Sequence, residues 1–218
     1  MPKSRKPVGS RRCAKRIYIL CEGSDKHSEY AYLSALIKDT PLQGNTVQIE
    51  LVPTEKNTGR ELVEEAARKI ERKFKKIDEA WVVYDQDGYT LHKETFRLAK
   101  EKGVKLAFSA TAFEMWILLH YKYTTKQFSK SEDIIKELKN KSFIDYTKNA
   151  TNVYSITKNN LAVAKQNAKQ LRSEVEKYDS DKKIYERNPY TNLDLLVEEI
   201  QHPDLKENNE AFWDDFYK

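Results

Sequence analysis

The sequence is poor in the residues that would place it in several large classes. Only two of its 218 residues are cysteine and four are histidine. Cys13 and Cys21 cannot make a disulfide scaffold, and a thiol beside a core strand suits a reducing cytosol. His27, His92, His120 and His202 have no zinc-site spacing with either cysteine, so structural zinc is not expected. No apolar run approaches the ~20 residues of a membrane span, and the longest are pieces such as MWILL. The N-terminus is basic without an apolar stretch behind it, unlike a secretory signal. A cytoplasmic protein without a membrane partner is expected. No internal repeat is visible.

What is abundant is charge. Charged residues make up 33% of the chain, against roughly a quarter in an average soluble domain. The 39% hydrophobic share, with 13 Tyr and 8 Phe, still suffices for a core and excludes disorder of the whole chain. Lys and Arg number 39 against 34 Asp and Glu, a formal charge of +5. Its location matters more than its size. Lys3, Arg5, Lys6, Arg11, Arg12, Lys15 and Arg16 fall in the first 16 residues, which contain no acid, so the remainder sums to −2. These seven side chains are the candidates for sequence-independent phosphate contacts.

Hydrophobic patterning gives alternating strands and helices. RIYILC (16–21) is apolar on both faces, as a central parallel strand should be. A helix follows from about Ser24, with Tyr30, Leu33 and Ile37 on one face. VQIELV (47–52) alternates, and Thr58-Gly59-Arg60 opens a helix carrying Leu62, Ala66, Ile70 and Phe74. EAWVVY (79–84) ends in Asp85-Gln86-Asp87-Gly88. A helix over about 90–102 stops at Gly103, a natural residue just past a helix end. KLAFSA (105–110) leads into AFEMWILLHY, the most apolar helix. This order predicts an α/β domain with a mostly parallel central sheet flanked by helices.

After Tyr121 the pattern predicts helices near 131–140, 160–178, 191–201 and 208–217 and no strand. The expected division is a basic tail (1–15), an α/β domain (16–125) and a helical C-terminal part (126–218). Asn149 to Asn160 reads as a polar connection that Tyr154 and Ile156 could anchor.

Ligands of open α/β sheets bind beyond the carboxyl ends of the strands. Glu22 follows the first strand, and Asp85 and Asp87 follow the third. In extended backbone these two aspartates point the same way. With Glu22 they make a hard, oxygen-rich set of the kind Mg²⁺ takes together with waters and phosphate oxygens. Asp-Gln-Asp-Gly is also good turn chemistry on its own, and spacing alone does not separate the two readings. Glu114 opens the apolar helix beyond the fourth strand. It either reaches the same edge or complements the helix N-terminus. His120 is six residues further on, off the Glu114 face, and reads as a core histidine. His27 reads as a surface position. The bases on the 60–76 helix interleave with acids and read as a solvated face. Asn-Pro-x-Thr-Asn (188–192) reads as a turn and helix cap. Phe212, Trp213, Phe216 and Tyr217 form a stripe suited to helix docking or a partner surface.

IYILCEG with Tyr30, WVVYDQDG, FSATAFEMWILLHY and NPYTNLDLLVEEI, in this order from about residue 16 to 200, resemble the RloB-like branch of the Toprim superfamily. The resemblance implies a Toprim-like fold and a Mg²⁺-dependent nuclease (Mn²⁺ as substitute) of a prokaryotic antiviral defence system, often encoded with an ABC-like ATPase. It implies Glu22 as general acid/base or metal ligand and Asp85 with Asp87 as metal ligands. It also raises a role near the site for Asn188, Thr191 and Asn192. Relatives have Thr-Glu where this chain has Lys26-His27, with Glu29 out of register, and this departure bears on a second metal position. Relatives also often read Asn-Pro at Thr111-Ala112. The expected function is endonucleolytic cleavage of RNA, with tRNA as a candidate substrate, in preference to DNA. The expectation admits a homo-oligomer. The alternative is a degenerate module that binds nucleic acid or an ATPase.

Overall fold

Alternation within β1 (Lys15–Cys21) sets the architecture. Ile17, Ile19 and Cys21 enter one buried cluster, while Tyr18 and Leu20 enter another on the opposite face. A strand buried on both faces must be central. The computed structural model describes residues 15–22, 27–41, 47–71, 78–86, 90–141, 143–203 and 210–218.

The chain continues through α1 (Ser28–Asp39), β2 (Val47–Leu51), α2 (Gly59–Glu71), β3 (Glu79–Asp85), α3 (His92–Lys102), β4 (Lys105–Ala110) and α4 (Glu114–Leu119). Then follow α5 (Ser131–Asn140), α6 (Val153–Thr157), α7 (Leu161–Tyr178), β5 (Tyr190–Thr191), α8 (Leu193–Gln201) and α9 (Glu210–Phe216). The strands form one sheet in the order β2-β1-β3-β4-β5, parallel except for the β4–β5 pair. The α/β reading of the sequence therefore holds, including a helical C-terminal part. Gly103 sits at φ 65° just past α3 and turns the chain directly into β4.

The sheet is sandwiched. Helices α1 and α4 to α8 cover the Ile17/Ile19/Cys21 face, and α2, α3 and α9 cover the Tyr18/Leu20 face. The first cluster runs without a break from Ile17 through Trp116, Leu138 and Leu171 to Ile200, so the helices beyond residue 126 share the core of the α/β part. Phe216 stacks on Phe96 and Tyr217 Oη donates to the Val104 carbonyl at 2.6 Å, so the C-terminal aromatic stripe docks α9. Among the described residues no helix is long and apolar enough to cross a membrane.

Several local expectations are corrected. Tyr30 and Ile37 pack against the core as partly buried residues, while the fully buried apolar positions of α1 are Tyr32, Leu33 and Leu36. The polar segment 149–160 contains α6, anchored by buried Tyr154, while Ile156 is 44% exposed. A fifth strand exists where none was expected. It is built by polar side chains rather than by a hydrophobic run, which is why patterning missed it. Phe108 N–H donates to Asn192 Oδ1 at 2.7 Å, and Asn192 Nδ2 donates to the Leu106 carbonyl at 2.9 Å. Ser109 and Thr191 hydroxyls pair at 2.9 Å, and Arg172 grips Asp194 through both guanidinium nitrogens. Asn188 Nδ2 donates to Thr111 Oγ1 and to the Phe128 carbonyl. The Asn-Pro-Tyr-Thr-Asn segment thus clamps the end of β4 and the turn that leads into α4.

Lys15 and Arg16, grouped by sequence with the basic tail, are residues of β1. The Lys15 ammonium lies 2.8 Å from Glu79 and 2.9 Å from Glu199. Burial disfavours its charge, but these two carboxylates outweigh that and raise its pKa.

Candidate functional site

From β1 the chain crosses to β2 on one side, and from β2 it returns to β3 on the other. The segments leaving the carboxyl ends of β1 and β3 therefore diverge and open a crevice between them, the usual ligand position in such sheets. Cys21 pairs with Val83, so Glu22 and Asp85 emerge side by side at that crevice. A cleft of about 510 Å³ lies there.

Among the described residues five carboxylates line it: Glu22, Glu29, Glu55, Asp85 and Glu114. Each arrives from the carboxyl edge of the sheet. Glu29 is in the first turn of α1, and helical side chains lean toward the helix N-terminus, here the crevice. Glu114 is the first residue of α4 and only 4% exposed. Tyr146 Oη lies 3.0 Å from both Glu114 Oε1 and Ser28 Oγ. An ionised carboxylate only accepts, so the phenol proton goes to Glu114, and the Ser28 hydroxyl can return its own.

Asp85 is oriented by backbone. Its Oδ2 accepts the Phe113 N–H at 2.8 Å, which leaves Oδ1 buried with no hydrogen-bond partner among the described residues. Burial carries its pKa well above the ordinary carboxylate range. The charges of Glu29, Glu114 and Glu22 add to this, and only the Phe113 N–H opposes it. Burial also raises Glu29, and the Glu114 charge adds to it. The Glu29 backbone hydrogen bond, His27 and Lys148 pull the other way. Like charges gathered in a low-dielectric cleft are relieved by a proton or by a cation.

The donors suit a hard divalent ion such as Mg²⁺, since all are carboxylate oxygens and one is buried without a partner. Among the described residues no three His, Cys, Asp or Glu side chains converge on one metal position. An ion here would be held by one or two carboxylates, with water and substrate oxygens completing its shell, which is how Mg²⁺ is usually bound.

The structure brings Glu22, Asp85 and Glu114 into one cleft; for Glu114 the sequence left this and a helix N-terminal role open. Asp87 and Lys26 lie outside the described residues, as do Lys3, Arg5, Lys6, Arg11 and Arg12. Lys15 and Arg16 start β1 at the opposite edge of the sheet. Seven strand residues at ~3.3 Å each put them roughly 20 Å from the cleft. His27 is exposed at the N-cap of α1. His120 is the core histidine expected: 1% exposed, with Nδ1 donating to the Trp116 carbonyl and Nε2 facing Tyr32 Oη at 3.3 Å. Burial lowers its pKa to about 4.

Sequence reasoning missed Glu29 and Glu55. Both follow parallel strands at the carboxyl edge, and the lean of the first helical turn could have indicated Glu29. Tyr146 lies 118 residues from Ser28 in the chain, and no local pattern foretells that contact.

No curated protein and no solved structure matches the chain. A family model, RloB-like protein, matches residues 17–200, from within β1 to within α8. The match spans all four parallel strands and every one of the clustered carboxylates. The chain belongs to the RloB-like family.

Proposed function

We propose that this protein is a Toprim-type, metal-dependent endonuclease that cleaves phosphodiester bonds in RNA, with tRNA as a candidate substrate, as an effector of prokaryotic antiviral defence. One observation carries the reading: a buried Asp85 Oδ1, unpartnered among the described residues, in a carboxyl group whose pKa is raised by burial and by the charges of Glu29, Glu114 and Glu22 at the crevice between β1 and β3. Such repulsion is costly for a fold to keep without a use for it. Family membership supports the Toprim assignment. The preference for RNA over DNA, the defence role, an ABC-like ATPase partner and self-association follow the family resemblance alone.

Mg²⁺ or Mn²⁺, when bound, would neutralise charge developing on the phosphodiester. Asp85 and Glu22 would hold it, with Asp87 as the third candidate. Phe113 N–H fixes Asp85 so that Oδ1 is the free ligand atom. Tyr146 fixes Glu114. Glu22, where it does not ligate the ion, would move the proton of the attacking group. Glu29, its pKa raised by burial, retains a proton where an exposed glutamate has lost it, and can pass it to the leaving oxygen.

The lack of three converging ligands among the described residues favours a second reading, a module that binds nucleic acid or an ATPase without cutting. Purified protein incubated with Mg²⁺ or Mn²⁺ on total RNA and on plasmid DNA separates the two. Cleavage of RNA, lost in Glu22→Gln and in Asp85→Asn, is expected. Cleavage that survives either substitution would sink the mechanism. Intact substrates throughout, even with an ATPase partner added, would favour the binding module.

A further inference from the structure

Part of the cleft's wall comes from the segment between α5 and α6, far from the strands in sequence. Buried Tyr146 pins this segment to Glu114 and Ser28. Directly after it the chain makes a tight turn, closed by Ala150 N–H donating to the Thr147 carbonyl at 3.0 Å. Asn149 occupies the third position of that turn at φ 72°, a left-handed conformation that asparagine tolerates better than most residues. Lys148 is therefore displayed at the second position. Both Lys148 and Asn149 line the cleft.

The cleft's charge makes this turn significant. Among the described residues five carboxylates line it against two lysines. Lys56 is paired with Glu61 at 3.4 Å. Lys148 is exposed and has no ion pair among the described residues. Its charge is felt by Glu29, so it stands at the site and not merely near it. Among the described lining residues, a polyanion approaching this cleft meets a majority of carboxylates, and the 147–150 turn offers it an ammonium not engaged in an ion pair among them.

We propose that the 147–150 turn is a phosphate-binding arm. The Lys148 ammonium and the Asn149 amide take a non-bridging oxygen of the phosphate next to the reacting one, and so set which bond of the strand lies over Asp85 and Glu22. This rests on the nuclease reading above and adds the means by which substrate is held. The anchor at Tyr146 makes the arm part of the catalytic floor, so the substrate grip and Glu114 share one support.

The test is binding of a fluorescein-labelled oligouridylate to protein carrying Glu22→Gln, with Mg²⁺ present, followed across a salt series. One lost lysine–phosphate contact on a single strand should flatten the plot of log affinity against log salt by about 0.7. Lys148→Ala and Lys148→Gln should both show this, with affinity several-fold weaker and the melting temperature unchanged. Lys148→Arg should keep the parent slope. Asn149→Gly, which suits the turn, should weaken binding without altering the slope, because the amide carries no charge. An unchanged slope in Lys148→Ala, or no binding by the parent, overturns the arm whatever the cleavage assay shows. The expected slopes in a protein that cuts nothing would keep the arm and reject the nuclease.

Discussion

Asp85 and His120 are both buried titratable residues, and the cost of their charge runs in opposite directions. Asp85 has a folded pKa raised above its unfolded value. Its contribution to stability is full below the unfolded pKa and lost as pH rises through the folded one. At neutral pH the carboxylate is therefore destabilising, and Asp85→Asn should melt higher. A gain of about 1 kcal/mol would appear as roughly 2–4 °C in Tm for a domain of this size, measured by calorimetry without divalent ions. An unchanged or lower Tm would show that the cluster is not under electrostatic strain. His120 has a folded pKa near 4 because burial disfavours its charge. Its contribution is present above the unfolded pKa of about 6.5 and fades as pH falls toward 4. Acidification across that window should cost on the order of 3 kcal/mol through this residue. Chemical denaturation of His120→Gln should show a shallower loss over the same pH range. A parallel loss in both proteins would assign the acid sensitivity elsewhere.

Elements differ in how openly the sequence announces them. Of the four parallel strands, β1, β3 and β4 were legible because strands buried on both faces are continuous apolar runs, and β2 because it alternates; Glu22 and Asp85 mark where two of them stop. Gly103 announced the end of α3. The fifth strand was illegible as a strand because Asn192 makes it by imitating backbone. Its side-chain amide satisfies the Phe108 N–H and the Leu106 carbonyl, both buried. Asn192→Ala leaves both groups without partners, and at ~1–3 kcal/mol each the loss should be roughly 2–4 kcal/mol. Urea unfolding measures it, and a cost under 1 kcal/mol would mean water or relaxation replaces the amide. The same clamp holds the turn that delivers Phe113 N–H to Asp85, so damage to this element should reach the site. The acid Glu29 was hidden by a register comparison with relatives, whereas the geometry of α1 brings it to the crevice regardless of register. Tyr146 and Lys148 were hidden because long-range contacts of a polar loop leave no periodic trace.

At the scale of the molecule, charge is segregated. The carboxylates gather at one edge of the sheet, and β1 begins at the other, where Lys15 is held by Glu79 and Glu199. Of the seven basic residues at the start of the sequence, Lys15 and Arg16 belong to the strand, and Lys3, Arg5, Lys6, Arg11 and Arg12 precede it. Fourteen residues come before β1, and at ~3.5 Å each they can span up to about 50 Å. That exceeds the roughly 20 Å length of the strand, so the segment is long enough to meet nucleic acid lying across the cleft. Deleting residues 2–12 should leave the melting temperature intact, weaken RNA binding and flatten its salt dependence by up to about 3.5. An unchanged salt slope would remove these residues from the interface.

The central claim is that the carboxylate cleft holds a divalent ion through Asp85. Titration of the protein with Mn²⁺, with free ion followed by electron paramagnetic resonance, tests it without any substrate. The account predicts saturable Mn²⁺ binding that Mg²⁺ displaces and that Asp85→Asn abolishes or weakens at least tenfold, about 1.4 kcal/mol. Binding of equal strength in Asp85→Asn, or none in the unaltered protein, would contradict it.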